Sequence, residues 1–213
     1  SNNTILNMKI DIKKSLKPVN YMNAMTFLEN RVEKVYQRES NELVWLLEHP
    51  SIFTAGKRYS DNEIIDKKIK IKKTQRGGKI TWHGPGQLIC YFVIDLNRRK
   101  KDIRKFINLI EKTIIETLKQ YKITSFSDRN NVGIWVKDKQ KIKKVGAIGI
   151  RIKKWVAYHG FSINISNTLN EYKKIIPCGI KEREVTNLKL IKNQCYINLG
   201  QKIIFNFSKN LKS

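Results

Sequence analysis

The chain has 213 residues, 40% hydrophobic and 29% charged, enough for one globular unit that buries most of its apolar side chains. Its longest apolar run, Leu88–Ile94, falls far short of the roughly 20 residues that cross a bilayer. The net charge of +25 favours acidic partners (nucleic acid, anionic lipid or an acidic carrier protein), although the lysines are spread along the whole chain and A·T-rich coding produces the same richness in Lys, Ile and Asn.

In chain order, the first residues, Ser1-Asn-Asn-Thr-Ile-Leu-Asn-Met-Lys9, lack the basic start and apolar stretch of a secretory signal, so a cytoplasmic location is expected. Val19, Met22, Met25, Leu28, Val32 and Val35 recur at helical spacing and predict a helix over 18–38, with Pro18 near its start. Leu43–Leu47 reads as a buried strand ending at Glu48-His-Pro50, where His49 is expected to serve as a turn residue. The segment Arg76-Gly-Gly-Lys-Ile-Thr-Trp-His-Gly-Pro-Gly-Gln87 holds four of the eleven glycines. It predicts a short strand (Lys79–Trp82) between two shaped turns, followed by the buried strand Leu88–Ile94. Asp102 is placed to cap a helix with Ile103, Phe106, Ile107, Ile110, Ile114, Leu118 and Tyr121 on one apolar face. Val132–Val136, Ile142–Ile152 and Trp155–Ile165 predict further strands joined by short basic turns. Gly200 is expected to precede a last helix carrying Ile203, Ile204 and Phe207. The strand-to-strand links are too short for βαβ crossovers, so the fold class is α+β: a mixed or antiparallel sheet flanked by helices. No repeat, low-complexity tract or linker interrupts it, which predicts a single domain over 1–213.

Three cysteines without a CxxC pair argue against a disulfide framework and a structural zinc site. Cys90 reads as a small core residue, and Cys195 has no obvious partner. Cys178 stands between Pro177, which restricts the local backbone, and Gly179, which leaves the sulfur unshielded. A thiol there is either packed in a turn or reactive, and reactivity requires a cationic neighbour that populates the thiolate. Lys144 enters the glycine-containing run Val145-Gly-Ala-Ile-Gly-Ile150 and is the best-placed of many basic residues. The three histidines lack the companions of a metal site, and neither a G-x-S-x-G elbow nor a phosphate loop is present.

The segments taken together resemble the lipoyl(octanoyl) transferase family. The matching pieces are Leu46-Leu-Glu-His-Pro-Ser-Ile-Phe-Thr-Ala-Gly56, Arg76–Gln87, Gly133-Ile-Trp135, Lys143–Arg151, His159-Gly-Phe-Ser-Ile-Asn164 and Pro177-Cys-Gly179, in the family's order. They span roughly residues 43–190, and their joint order is far more specific than any one of them. Asn131-Val132 departs from the small or Pro residue often found before Gly-Val-Trp, which touches a strand approach only. The resemblance implies a fold similar to the catalytic module of biotin and lipoate protein ligases, with an acyltransferase core over about 18–190. It implies Cys178 as acyl-accepting nucleophile and Lys144, rather than Lys143 or Lys141, as its partner. It also implies substrate contacts from Arg76, Gly77, Gly78, Lys79, Ile80, Thr81, Trp82 and His83, from Ala147, Ile148 and Gly149, and from Gly160, Phe161 and Ser162.

The activity so implied moves an octanoyl group from acyl carrier protein to a lysine of lipoyl domains, by way of a cysteine thioester. Acceptors would be the lipoyl domains of 2-oxoacid dehydrogenase complexes and the glycine cleavage H protein. No cofactor, metal, ATP, nucleic acid or membrane would take part. An ATP-dependent lipoate or biotin ligase on the same fold is the first rival, and it would rely on a lysine and an acyl-adenylate instead of Cys178. A nucleic-acid-binding module is the second, but clustered aromatic platforms and a single basic stripe are missing.

Overall fold

The computed structural model describes residues 9–176 and 184–213. Its first strand, β1 (Ile10–Lys14), pairs in parallel with β2 (Glu42–Leu47), and helix α1 (Tyr21–Tyr36) makes the connection. This crossover departs from the expectation that every strand link is too short for one. β1 is an edge strand with only two alternating isoleucines, too little pattern to register as a strand. Helix α1 starts later than expected because Asn20, not the Pro18 region, caps it, its Oδ1 accepting the Asn23 N–H at 3.0 Å. Stepping back from Leu28 by helical spacing lands on Ala24 and Tyr21, which are buried, whereas Met22 is 44% exposed.

The main sheet has eight strands in the order β1-β2-β6-β10-β9-β8-β7, with β11 added in parallel to β9. The other members are β6 (Gln87–Asp95), β7 (Ser125–Phe126), β8 (Ile134–Asp138), β9 (Lys141–Lys153), β10 (Val156–Asn164) and β11 (Glu184–Val185). Alternation divides each central strand between two cores. Leu43, Trp45, Ile89, Tyr91 and Val93 pack under α1. Val44, Leu46, Cys90, Phe92 and Ile94 pack under α2 (Ile103–Gln120) and α4 (Leu199–Leu211) on the opposite face. Asp102 caps α2 as expected, its Oδ1 accepting the Lys105 N–H. Ile103, expected on the apolar face, is 40% exposed, and buried Thr113 and Thr117 instead take hydrogen bonds from Asn210 and Asn206 of α4.

A smaller sheet of β3 (Ile52–Ala55), β4 (Ile71–Lys73) and β5 (Ile80–His83) lies in the order β4-β3-β5. Val132, expected to begin a strand, is exposed and precedes β8. The two basic hairpin turns are two-residue loops with both residues at positive φ: Lys139 and Gln140, then Lys154 and Trp155. That is the hairpin turn whose twist matches the flanking strands, formed here without its usual Asn-Gly. Gly200 lies inside the first turn of α4 rather than before it, because a Cβ there would stand 2.7 Å from Leu46 Cδ1. The short helix α3 (Leu188–Ile191) links β11 to α4. Among the described residues, no helix is long and apolar enough to cross a membrane.

Candidate active site

An open cleft lies where β5, β9 and β10 meet the N-terminal half of α1. Its walls include Arg76, Gly77, Gly78, Lys79, Ile80, Thr81 and His83, then Ala147, Ile148 and Gly149 of β9, then Gly160, Phe161 and Ser162 of β10. Antiparallel pairing that sets Gly160 opposite Gly149 and Tyr91 joins the last two segments, and the first, up to 86 positions away in sequence, reaches the same surface from the smaller sheet, where β5 pairs with β3. Tight pairing there requires a glycine, since a Cβ on residue 160 would stand 1.9 Å from the Cys90 carbonyl oxygen. Trp82 is the exception in the first segment. It packs away from the cleft, edge-on to Tyr172 at 5.6 Å, with its indole N–H donating to Ser51 Oγ.

Arg76 ties the backbone of its own loop to β3. Its Nη2 donates to the carbonyls of Thr54 and Lys79, each at 2.8 Å, and its Nη1 to the carbonyl of Gly77, also at 2.8 Å. Gly56 makes room for this clamp, because a Cβ there would come within 2.3 Å of the Gly78 oxygen. Arg76 therefore shapes the glycine loop that walls the cleft.

Alternation along β9 decides among the lysines. Lys143 turns outward and pairs with Asp138 at 2.8 Å, and Lys141 lies at the surface near Glu184. Lys144 turns inward and is 5% exposed, with Nζ 5.6 Å from the centre of the Trp135 ring. It opens on a smaller space whose walls include Thr81, Ala147 and Ser162, all three shared with the main cleft. Gly133 backs its side chain: a Cβ there would meet Lys144 Cε at 2.5 Å, and its φ is +147°. Val185 of β11 pairs with Lys144, and the Thr186 N–H donates to the Lys144 carbonyl at 2.8 Å. Cys178 lies outside the described residues.

His49 lies in the link between β2 and β3, as its place before Pro50 suggests. It is fully buried, with Nδ1 2.7 Å from the Val19 carbonyl and Nε2 2.6 Å from the Tyr91 hydroxyl. A carbonyl only accepts, so Nδ1 carries the proton and Nε2 accepts from Tyr91. Tyr21, Met25, Ile89 and Tyr91 also line the cleft, and Tyr21 stacks on His83 at 6.2 Å. These residues fell within the predicted helix and strand, but nothing in their spacing distinguished them from ordinary core positions. His159, at a positive φ of 68°, lines the cleft with its Nδ1 unpartnered among the described residues.

Burial disfavours the charged imidazole at all three positions. His49 is held below its usual value, while His83 and His159 are pushed down to about 3, with neighbouring His49 adding to the effect on His83 and Arg76 to that on His159. Unfolded histidines take up protons near pH 6.5. Their contribution to stability is therefore complete above that pH and is lost as the pH falls toward 3. Moving from pH 7.5 to 5.5 should cost about 1.4 kcal/mol for each of His83 and His159. Urea unfolding at the two pH values measures this, and equal stabilities would show that the rings are not held neutral.

Among the described residues, no group of three or more His, Cys, Asp or Glu could hold a metal. The family profile described as the lipoyl protein ligase A/B catalytic domain matches residues 20–198. The chain is 44% identical over 170 residues to the octanoyltransferase of Wolbachia pipientis subsp. Culex pipiens (strain wPip), covering 79% of this chain and 83% of that one. In fold it is similar to a bi-partite lipoate protein ligase from Thermoplasma acidophilum, with a TM-score of 0.70 at 15% identity, covering 96% of this chain and 85% of that one. A biotin protein ligase from Aquifex aeolicus shares the fold more distantly, with a TM-score of 0.52 at 16% identity over 96% and 70% of the two chains.

Proposed function

The chain belongs to the lipoyl protein ligase A/B catalytic domain family, and we propose that it carries an octanoyl group from acyl carrier protein to a lysine of lipoyl domains through a thioester on Cys178. It is an acyltransferase, as its octanoyltransferase relatives are. The observation that carries the finer reading is the adjoining of two spaces: a cleft walled by Met25, Ile89, Ile148 and Phe161, and the pocket of the inward-turned Lys144. The apolar walls suit an alkyl chain, whose burial is worth about 0.8 kcal/mol per methylene. In this reading residues 1–213 form one catalytic domain with its core over about 18–190, working in the cytoplasm.

In the first step the Cys178 thiolate attacks the carrier's thioester carbonyl. A new S–C bond forms, the carrier's S–C bond breaks, and the departing phosphopantetheine thiolate takes a proton. Both bonds are thioesters, so this step is close to balanced and needs no ATP. In the second step a lysine amine attacks the Cys178 thioester, forming an amide and releasing the enzyme thiol, which runs downhill. Charged Lys144 favours the thiolate, and neutral Lys144 receives the amine's proton. Backbone N–H groups of the Arg76–Gly78 loop are the proposed donors to the tetrahedral oxyanion, a role worth about 3 kcal/mol per donor. The surplus of 43 Lys and Arg over 18 Asp and Glu would steer an acidic carrier to this surface.

The test supplies octanoyl-loaded carrier protein and an apo lipoyl domain without ATP. An octanoylated lipoyl domain is the expected product. Modification seen only with free octanoate and ATP would make the chain a ligase.

A further inference from the structure

A buried chain of amides runs from the protein interior to the cleft and ends on His83. Thr186 begins it: its carbonyl accepts a hydrogen bond from Asn164 Nδ2 at 3.1 Å. That contact turns Asn164 Oδ1 the other way, where it accepts from Gln87 Nε2 at 2.9 Å and from Asn167 Nδ2 at 3.2 Å. Gln87 Nε2 also lies 3.3 Å from the Trp82 carbonyl and 2.9 Å from the Tyr172 hydroxyl. Turning the Gln87 amide over would set its oxygen against Asn164 Oδ1 and the Trp82 carbonyl, two acceptors that cannot donate. Gln87 is fully buried and Asn164 4% exposed, so water cannot relieve such a clash.

Gln87 Oε1 is therefore the end that faces His83, 2.7 Å from its Nδ1. An amide oxygen only accepts, so Nδ1 must carry the ring proton. His83 lines the cleft, and its Nε2 has no hydrogen-bond partner among the described residues. We propose that Gln87 and Asn164 are positioning residues that lock His83 in the Nδ1–H tautomer, so that its bare Nε2 is presented to the cleft as an acceptor for an N–H of the incoming lysine amine. The assignment to the amine rests on the acyl-transfer reading above. An amide N–H on the carrier's arm has the same donor chemistry, but the attacking amine becomes positively charged as its new bond forms. A hydrogen bond to it therefore strengthens in the transition state and speeds the step. Burial keeps the ring neutral, so His83 orients the amine and leaves its proton for another base.

The tautomer is read directly from ¹⁵N–¹H correlation spectra of the three histidine rings, with a His83→Asn variant identifying the signals. The full-length native protein is expected to show His83 protonated on Nδ1. In Gln87→Leu the proton should move wholly or partly to Nε2, the form free histidine prefers. Asn164→Ala, which frees the Gln87 amide to turn, should give a mixture and provides the comparison if Gln87→Leu does not fold. An Nε2–H signal for His83 in the native protein, or a tautomer unchanged in the folded variants, would overturn the proposal. Single-turnover kinetics then separate the two reactants: transfer from acyl-enzyme to lipoyl domain should slow about tenfold in Gln87→Leu. Slowing confined to loading from the carrier would overturn the assignment to the amine. Failure of the native protein to form any acyl-enzyme would count against the acyl-transfer reading alone, because the tautomer is read without substrate.

Discussion

Cys178→Ser is expected to abolish octanoyl transfer, with a loss of about 10⁴-fold or more. The reason lies in ionisation: a thiol with a cationic neighbour is substantially thiolate at neutral pH, whereas a serine hydroxyl in the same place is not. The change is nearly isosteric, so binding of the carrier and the acyl chain should survive. Intact mass spectrometry after mixing with octanoyl-loaded carrier protein makes the comparison. The native protein should gain the mass of one octanoyl group and the variant none. An equal gain in both would place the acyl group elsewhere, with Cys90 and Cys195 as the alternatives on this chain. Cys90 is buried and its thiol is pushed well up by burial, which makes it the poorer nucleophile of the two.

Lys144→Met should retain the fold and the apolar stem but lower turnover about 10²- to 10⁴-fold, the range of a lost acid–base group. Register supports the choice of residue. Lys143 is committed to Asp138 on the outer face of β9, so Lys143→Met should leave turnover within about twofold. If the two variants behaved alike, the inward turn of Lys144 would have no chemical meaning. Gly133→Ala gives an independent reading of the same feature. Its Cβ would press on Lys144 Cε, and a displacement of about 1 Å is enough to cost roughly 10²-fold in rate. Circular dichroism and thermal melts distinguish this from unfolding, since the positive φ of residue 133 also strains any residue other than glycine.

Much of this architecture is legible along the chain because it rests on local periodicity. Helical spacing marks α1 and α2, an unbroken apolar run marks β6, and Asp102 caps where a short acceptor before an apolar face should. The order of the glycine-containing segments also carries the family, and among the described residues Gly56, Gly133 and Gly160 stand where a Cβ would meet a neighbour within 2.5 Å. Contacts between distant residues leave no such period. Only folding shows that Arg76 ties its loop to β3, that Trp82 turns from the cleft, and that His49 is buried against Tyr91. β1 leaves little trace in the sequence because an edge strand needs few apolar residues to be held, and the place of Gly200 within α4 is not legible because its constraint comes from distant Leu46. The tautomer of His83 depends on Gln87 and on Asn164, 77 positions further along. Alternation and turn chemistry are properties of neighbouring residues and can be read in sequence order. The direction of a buried hydrogen bond is set by whichever carbonyl lies across the fold, and that is decided only when the sheet closes.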